Sequence, residues 1–143
     1  MKLTDLEPKF LRYEVREEAW RRQTDACRTL PPGHEHTDAC SEVVIGPRVY
    51  LPWANALADA QGVKFLCPKC FAANGGPVGT HAVICWSRSS GIPDDAEPSG
   101  RWTLDGTGYG DLTLNGDPPG NARSVLLIGG CEWHGFITDG EVT

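Results

Sequence analysis

Val63-Lys64-Phe65-Leu66-Cys67-Pro68-Lys69-Cys70 runs from a short apolar segment straight into two cysteines separated by two residues. Val63–Leu66 reads as a strand. The Cys-Pro-Lys-Cys that follows reads as a metal knuckle, a tight turn whose backbone N–H groups point at two thiolates and offset their charge. A second pair with the same gap, Cys131-Glu132-Trp133-His134, stands about 60 residues further on. Together the pairs offer three sulfurs and one imidazole, a standard tetrahedral set for structural zinc. Cys67, Cys70, Cys131 and His134 are therefore the expected ligands of one Zn2+. Gly135 follows the last of them, where a tight turn often needs positive φ. One ion closing so long a loop restricts the unfolded chain strongly. Structural zinc contributes ~10–16 kcal/mol in finger peptides, so folding is expected to draw several kcal/mol from the metal.

The remaining composition narrows the class. With 143 residues the chain can bury a modest core. The 17 glycines and 11 prolines favour short strands and turns over long helices. Net charge is −6, and residues 1–28 hold seven of the thirteen Lys and Arg against six acids. The rest of the chain carries six basic and thirteen acidic residues, a balance that repels nucleic acid. Met1-Lys2-Leu3-Thr4-Asp5 lacks the apolar run of a secretory peptide. Val125–Ile128, the longest aliphatic stretch, is too short to span a bilayer. A soluble protein of the reducing cytoplasm is expected, where six cysteines point to metal rather than disulfides.

Along the chain the pattern is that of a mainly β domain, small and compact, with one or two short helices. Strands are expected at 10–15, 43–45, 49–51, 63–66, 81–86, 101–104, 111–114, 124–128 and 136–138. Charged Arg16–Arg22 reads as a short helix. So does Pro52–Ala60, with Pro at its start and Gly62 as stop. Residues 23–42 are polar around Pro31-Pro32-Gly33 and read as a loop or insertion. Residues 87–100 and 115–121 read as further loops. The expected organisation is one domain over 1–143, with 63–138 as its zinc-knuckle core.

Four more donors, Cys27, His34, His36 and Cys40, crowd into the 23–42 loop and form a second candidate metal set. If only three of them bound, Glu35 could act as base to a metal-bound water, the arrangement of a zinc hydrolase. His81 and Cys85 do not form a nucleophilic dyad, because residues four apart on a strand lie ~13 Å apart. His81 remains a second place to look for hydrolytic chemistry. Gly106-Thr107-Gly108-Tyr109-Gly110 lacks the spacing, Lys and helix of a phosphate loop and reads as a turn. Trp86, Trp102 and Phe136 read as core. Trp133, between two ligands on a tight turn, is expected to be partly exposed and available to a partner.

Phe65-Leu66-Cys67-Pro68-x-Cys70, Trp102 with Asp105-Gly106, Asp111-Leu112-Thr113-Leu114 and Cys131-x-x-His134-Gly135-Phe136-Ile137 together resemble a known pattern. It is that of an uncharacterised family of small zinc-binding-like domains of bacteria and their phages. Some members stand in operons with ubiquitin-like conjugation components. The resemblance covers roughly residues 63–138. It implies a zinc-ribbon-like fold with Cys67, Cys70, Cys131 and His134 as metal ligands, and it brings no established activity. Shorter members have no counterpart of the 23–42 loop. Many carry an additional Cys that Phe71-Ala72-Ala73 lacks, so the second donor set draws no support from the family. Leu3–Leu6 and Val78–Trp86 also resemble phage-encoded small proteins, which would place the chain in a host cytoplasm. The expected function is a zinc-stabilised interaction module that binds a protein partner. A zinc hydrolase using His34, Glu35 and His36, or His81, and a nucleic-acid-binding zinc ribbon are the other readings.

Overall fold

The computed structural model describes residues 1–88, 91–116 and 122–143. Most of the expected 115–121 loop and two positions of the 87–100 loop lie outside them. The architecture is mainly β, with strands β1 (Lys9–Leu11), β2 (Glu14–Gln23), β3 (Ser41–Tyr50), β4 (Trp53–Ala54), β5 (Gly62–Leu66), β6 (Ala82–Ser87), β7 (Arg101–Asp105), β8 (Thr113–Gly116), β9 (Val125–Leu126), β10 (His134–Gly135), β11 (Ile137–Thr138) and β12 (Glu141–Val142). Two short helices, α1 (Asp25–Arg28) and α2 (Pro68–Asn74), accompany them. The chain divides into two compact units, Met1–Tyr13 with Leu51–Thr143, and Glu14–Tyr50.

The larger unit is organised by a six-stranded sheet in the order β4-β1-β5-β6-β7-β8. Its pairs are antiparallel except β6–β7, which run parallel through Trp86↔Arg101 and Ser87↔Trp102. Alternation along β5 and β6 sends Val63, Phe65, Val83 and Cys85 into the core with Leu3, Leu6, Phe10, Leu112, Leu114 and Ile137. Trp86 is fully buried in a second cluster with Leu11, Ile92 and Ala96, and its Nε1–H donates to the Glu97 carbonyl at 3.0 Å. Gly62 faces this ring across the β5–β6 ladder, where a Cβ would stand 2.5 Å from it. The Arg101 guanidinium donates to the carbonyls of Pro93, Ala96, Pro98 and Gly100 at 2.7–3.0 Å and so shapes the 93–100 segment. In the β7–β8 turn, the Asp111 carboxylate accepts the Thr107 and Gly108 N–H groups, both at 2.9 Å. The turn's amides thus already hold an anion, one supplied by the chain.

The smaller unit is a two-stranded ribbon in which β2 pairs with β3 from Glu14↔Tyr50 to Gln23↔Ser41. One face is laced by polar and aromatic groups. Arg16 lies over Tyr50 at 4.4 Å and Arg48 over Trp20 at 4.9 Å, while Tyr50 Oη–H donates to Glu18. The other face presents Val15, Val43, Ile45 and Val49, all exposed.

Four local expectations give way here. Arg16–Arg22 is strand rather than helix: cross-strand partners along all of β3 outweigh a weak local preference. The expected strands 43–45 and 49–51 are one strand that passes through Gly46-Pro47, since a ribbon consists of edges and edges tolerate Pro. Pro52–Ala60 forms no α-helix. Trp53 and Ala54 instead extend the sheet against Leu11 and Phe10, followed by a single 3-10 turn at Leu57–Asp59. The expected 10–15 strand also breaks, because the Arg12 N–H donates to the Pro52 carbonyl and the Tyr13 N–H to Gln61 Oε1.

Candidate metal centres

The first centre is assembled from three segments of the larger unit. Cys67 directly follows β5 as the N-cap of α2, and Pro68 then starts the helix at a position where a missing N–H costs nothing. The Phe71 N–H closes this turn on the Cys67 carbonyl at 2.9 Å, carrying Cys70 back toward Cys67. Gly75, at φ +69, ends α2, and the chain returns antiparallel. The β5–β6 register pairs Leu66 with Ala82, and the next step brings the Cys67 N–H to the His81 carbonyl at 2.9 Å. That step places His81 beside Cys67. The fourth donor comes from the β9–β10 hairpin, whose turn uses Gly129, Gly130 and Glu132 at positive φ and carries Cys131.

The sulfur and nitrogen donors of Cys67, Cys70, His81 and Cys131 all lie within 4.8 Å of one another. Cys67 Sγ is 3.6 Å from Cys131 Sγ, and His81 Nε2 is 3.3 Å from Cys131 Sγ. Three of the expected ligands are thus brought together, and the histidine that joins them is His81, not His134. Strand alternation gives the reason. Trp133 is buried against Phe65, ring centroids 6.0 Å apart, so His134 must face the other way. His134 is exposed, pairs with Leu126 and stacks on Phe136, which is itself exposed on the same face rather than in the core as expected. The same burial corrects the expectation that Trp133 is partly exposed: at 7 % exposure it belongs to the core. Gly135 does not have positive φ; it is required because a Cβ there would collide with the Thr143 carbonyl and the Trp133 ring.

Electrostatics at this centre favour a cation. The Cys131 thiol is lowered to about 6, first by its hydrogen bond with His81 and then by the Trp133 N–H. Cys70 is pushed up to about 11, first by burial and then by the neighbouring sulfurs of Cys131 and Cys67. One thiolate forms readily, and a further one resists ionisation while no positive charge stands between them. Cys85 is raised by full burial alone and pairs in register with Val63; it is a structural thiol outside the centre.

The second centre lies in the smaller unit and draws on all four of its expected donors. Cys27, His34, His36 and Cys40 also gather within 4.8 Å of one another. The Thr24 side chain caps α1 by accepting the Cys27 N–H at 3.2 Å, and the Thr24 N–H donates to the Cys40 carbonyl at 3.1 Å. These two contacts close the neck of the connection. His34 Nε2 lies 3.2 Å from Cys27 Sγ and 3.4 Å from Cys40 Sγ, and His36 Nδ1 lies 3.6 Å from Cys27 Sγ. Cys27 is lowered to about 6, first by Cys40 and then by the Gln23 amide, while Cys40 is raised by Cys27. The segment expected to be a structureless loop is therefore folded around its donors. Glu35 is exposed and is not among them.

Cys70, His81 and Cys131 also border a cavity of about 680 Å³ in the larger unit. Its walls include Val83, Ile84, Trp102 and Val125–Ile128. β6 pairs with β7 only at Trp86 and Ser87, so Ala82, Val83 and Ile84, which line this groove, have no ladder partner on that edge among the described strands. Leu126 and Ile128 at the rim are 57 % and 96 % exposed. No helix among the described residues is long and apolar enough to cross a membrane. Comparison of the chain with protein-family models, curated proteins and solved structures finds no match.

Proposed function

We propose that the protein is a zinc-stabilised protein-binding module whose structural ion is held by Cys67, Cys70, His81 and Cys131. The observation that carries this reading is the spacing of the donors. With Zn–S near 2.3 Å and Zn–N near 2.0 Å, a tetrahedron has edges of about 3.8 Å between sulfurs and about 3.6 Å between sulfur and nitrogen. The separations of 3.6 and 3.3 Å fall close to those edges, and the sulfurs are far too distant for a disulfide. Four protein donors fill a tetrahedral ion and leave no position for a reacting water, which favours a structural role over hydrolysis. The Lys69 ammonium donates to the Cys131 carbonyl at 2.7 Å and ties the knuckle to the distant turn.

Binding is assigned to the groove beside the ion. A strand edge without a ladder partner among the described strands would supply backbone hydrogen bonds to an extended segment, and apolar walls side-chain pockets, the arrangement used in strand addition. An extended peptide of a partner protein is the ligand this combination suits. Zinc content and chelator-driven unfolding followed by circular dichroism test the structural half. Loss of the cooperative transition on complete zinc removal is expected, and an unchanged transition defeats it. Selection of displayed peptides on the zinc-loaded protein tests the binding half. Enrichment of β-forming apolar sequences that is lost with Leu126→Glu is expected; equal enrichment on both proteins defeats it.

A further inference from the structure

The hairpin unit has no core of its own, and this makes its donor cluster more than a coincidence of residues. Among the described residues of Glu14–Tyr50, the only buried apolar side chains are Cys27 and Cys40, at 1 % and 5 % exposure. A two-stranded ribbon is at best marginally stable in water, and units below ~40 residues generally need a metal, disulfides or a partner to fold. Yet β2 and β3 pair over ten residues each, and their connection closes on the four donors.

We propose that Cys27, His34, His36 and Cys40 form a second tetrahedral zinc site, separate from the core site, and that its ion holds the β2–β3 ribbon together. The sulfur–nitrogen separations of 3.2–3.6 Å approach the edge of about 3.6 Å expected around zinc. An outer layer of contacts is already in place. His34 Nδ1–H donates to the Pro31 carbonyl at 2.9 Å, which fixes the tautomer and leaves Nε2 with a lone pair directed at the sulfurs. Gln23 Nε2 donates to Cys27 Sγ at 3.4 Å, as expected for a thiolate ligand. Two sulfurs and two nitrogens suit zinc, whereas calcium and magnesium prefer oxygen. The site differs from the core site in donor set, and its imidazoles stand nearer to solvent: His34 is half-buried and His36 exposed.

The test uses the full-length chain. Zinc per chain is measured by elemental analysis after dialysis, and backbone protection by amide hydrogen exchange. The parent protein is expected to hold two zinc ions, Cys27→Ser/Cys40→Ser one, and Cys67→Ser/Cys131→Ser one. In Cys27→Ser/Cys40→Ser, residues 14–23 and 41–50 should lose protection while β5 and β6 keep theirs. If that variant fails to fold, His34→Ala/His36→Ala carries the same expectation without altering a buried residue. A parent with one zinc that persists in the hairpin variant overturns the second site alone. A parent with one zinc that is lost in the hairpin variant overturns the core site alone. Protection of the ribbon at the parental level with its ion gone overturns the claim that metal holds it.

Discussion

His81 and His134 are both exposed imidazoles near the same cysteines, and strand alternation separates them. Replacing His81 with Ala should weaken zinc binding at the core centre by more than the roughly 10–100-fold that loss of an outer-shell partner costs. His134→Ala should leave affinity unchanged, since its ring contacts Phe136 rather than the donors. Competition against a chromophoric chelator measures both; equal losses would return His134 to the ligand set. Asp111 gives a pH prediction. Its carboxyl lies below the usual carboxylate range, first because the Thr107 N–H donates to it, then the Thr107 hydroxyl and the Gly108 N–H. A lowered folded-state pKa means the stabilisation is fully present above the unfolded value of about 4 and is lost as pH falls through the lower folded value. Asp111→Asn removes the charge and keeps one acceptor oxygen. Denaturant unfolding should show the variant less stable than the parent at neutral pH, with the gap closing in acid.

The turns that join elements are more demanding than the strands. Gly140, between β11 and β12, has φ +76, and a Cβ there would collide with the Gly110 carbonyl. Its N–H donates to the Leu112 carbonyl at 2.9 Å and its carbonyl accepts the Leu3 N–H at 2.8 Å. One glycine thus links the first segment, the β7–β8 connection and the last hairpin. Gly140→Ala should cost more than about 2 kcal/mol, the left-handed penalty of ~1–2 kcal/mol plus the collision, measured as the shift in urea midpoint at constant slope. The helices show why short elements were misplaced in sequence. Arg16–Arg22 and Pro52–Ala60 carry helical composition, but cross-strand pairing takes over, with β3 along all of Arg16–Arg22 and with β1 at Trp53–Ala54. The helices that do form, at Asp25–Arg28 and Pro68–Asn74, are each set by a metal-donor turn and a cap.

Over the full length of the chain, the core donor cluster brings together Cys67 and Cys131, 64 apart in sequence, and the strand bridge Lys2↔Glu141 closes the same unit from its two ends. An ion that binds only the folded state adds about 1.4 kcal/mol of stability for each tenfold rise in free zinc above its dissociation constant. The thermal midpoint should therefore climb steadily with the logarithm of buffered free zinc. A midpoint independent of zinc would mean that the ion does not report on folding at all.

Donor chemistry and local turns were readable from the chain alone. The two cysteines around Pro68-Lys69 were readable as a candidate metal turn because a two-residue gap acts within one turn, whereas Cys27, His34, His36 and Cys40 stood out only as four donors crowded into one polar segment. The β-rich character followed from short apolar segments punctuated by Gly and Pro. The identity of the fourth core ligand was not local. His81 reaches the sulfurs through the β5–β6 register, and the only signal for it was that strands 63–66 and 81–86 flank one Gly-Gly-Pro turn, so that Cys67 and His81 stand opposite each other at its mouth. Burial of Trp133 then turned His134 outward. Ligation depends on where pairing and packing aim a side chain, and those are set by contacts between distant segments that no spacing along the chain records.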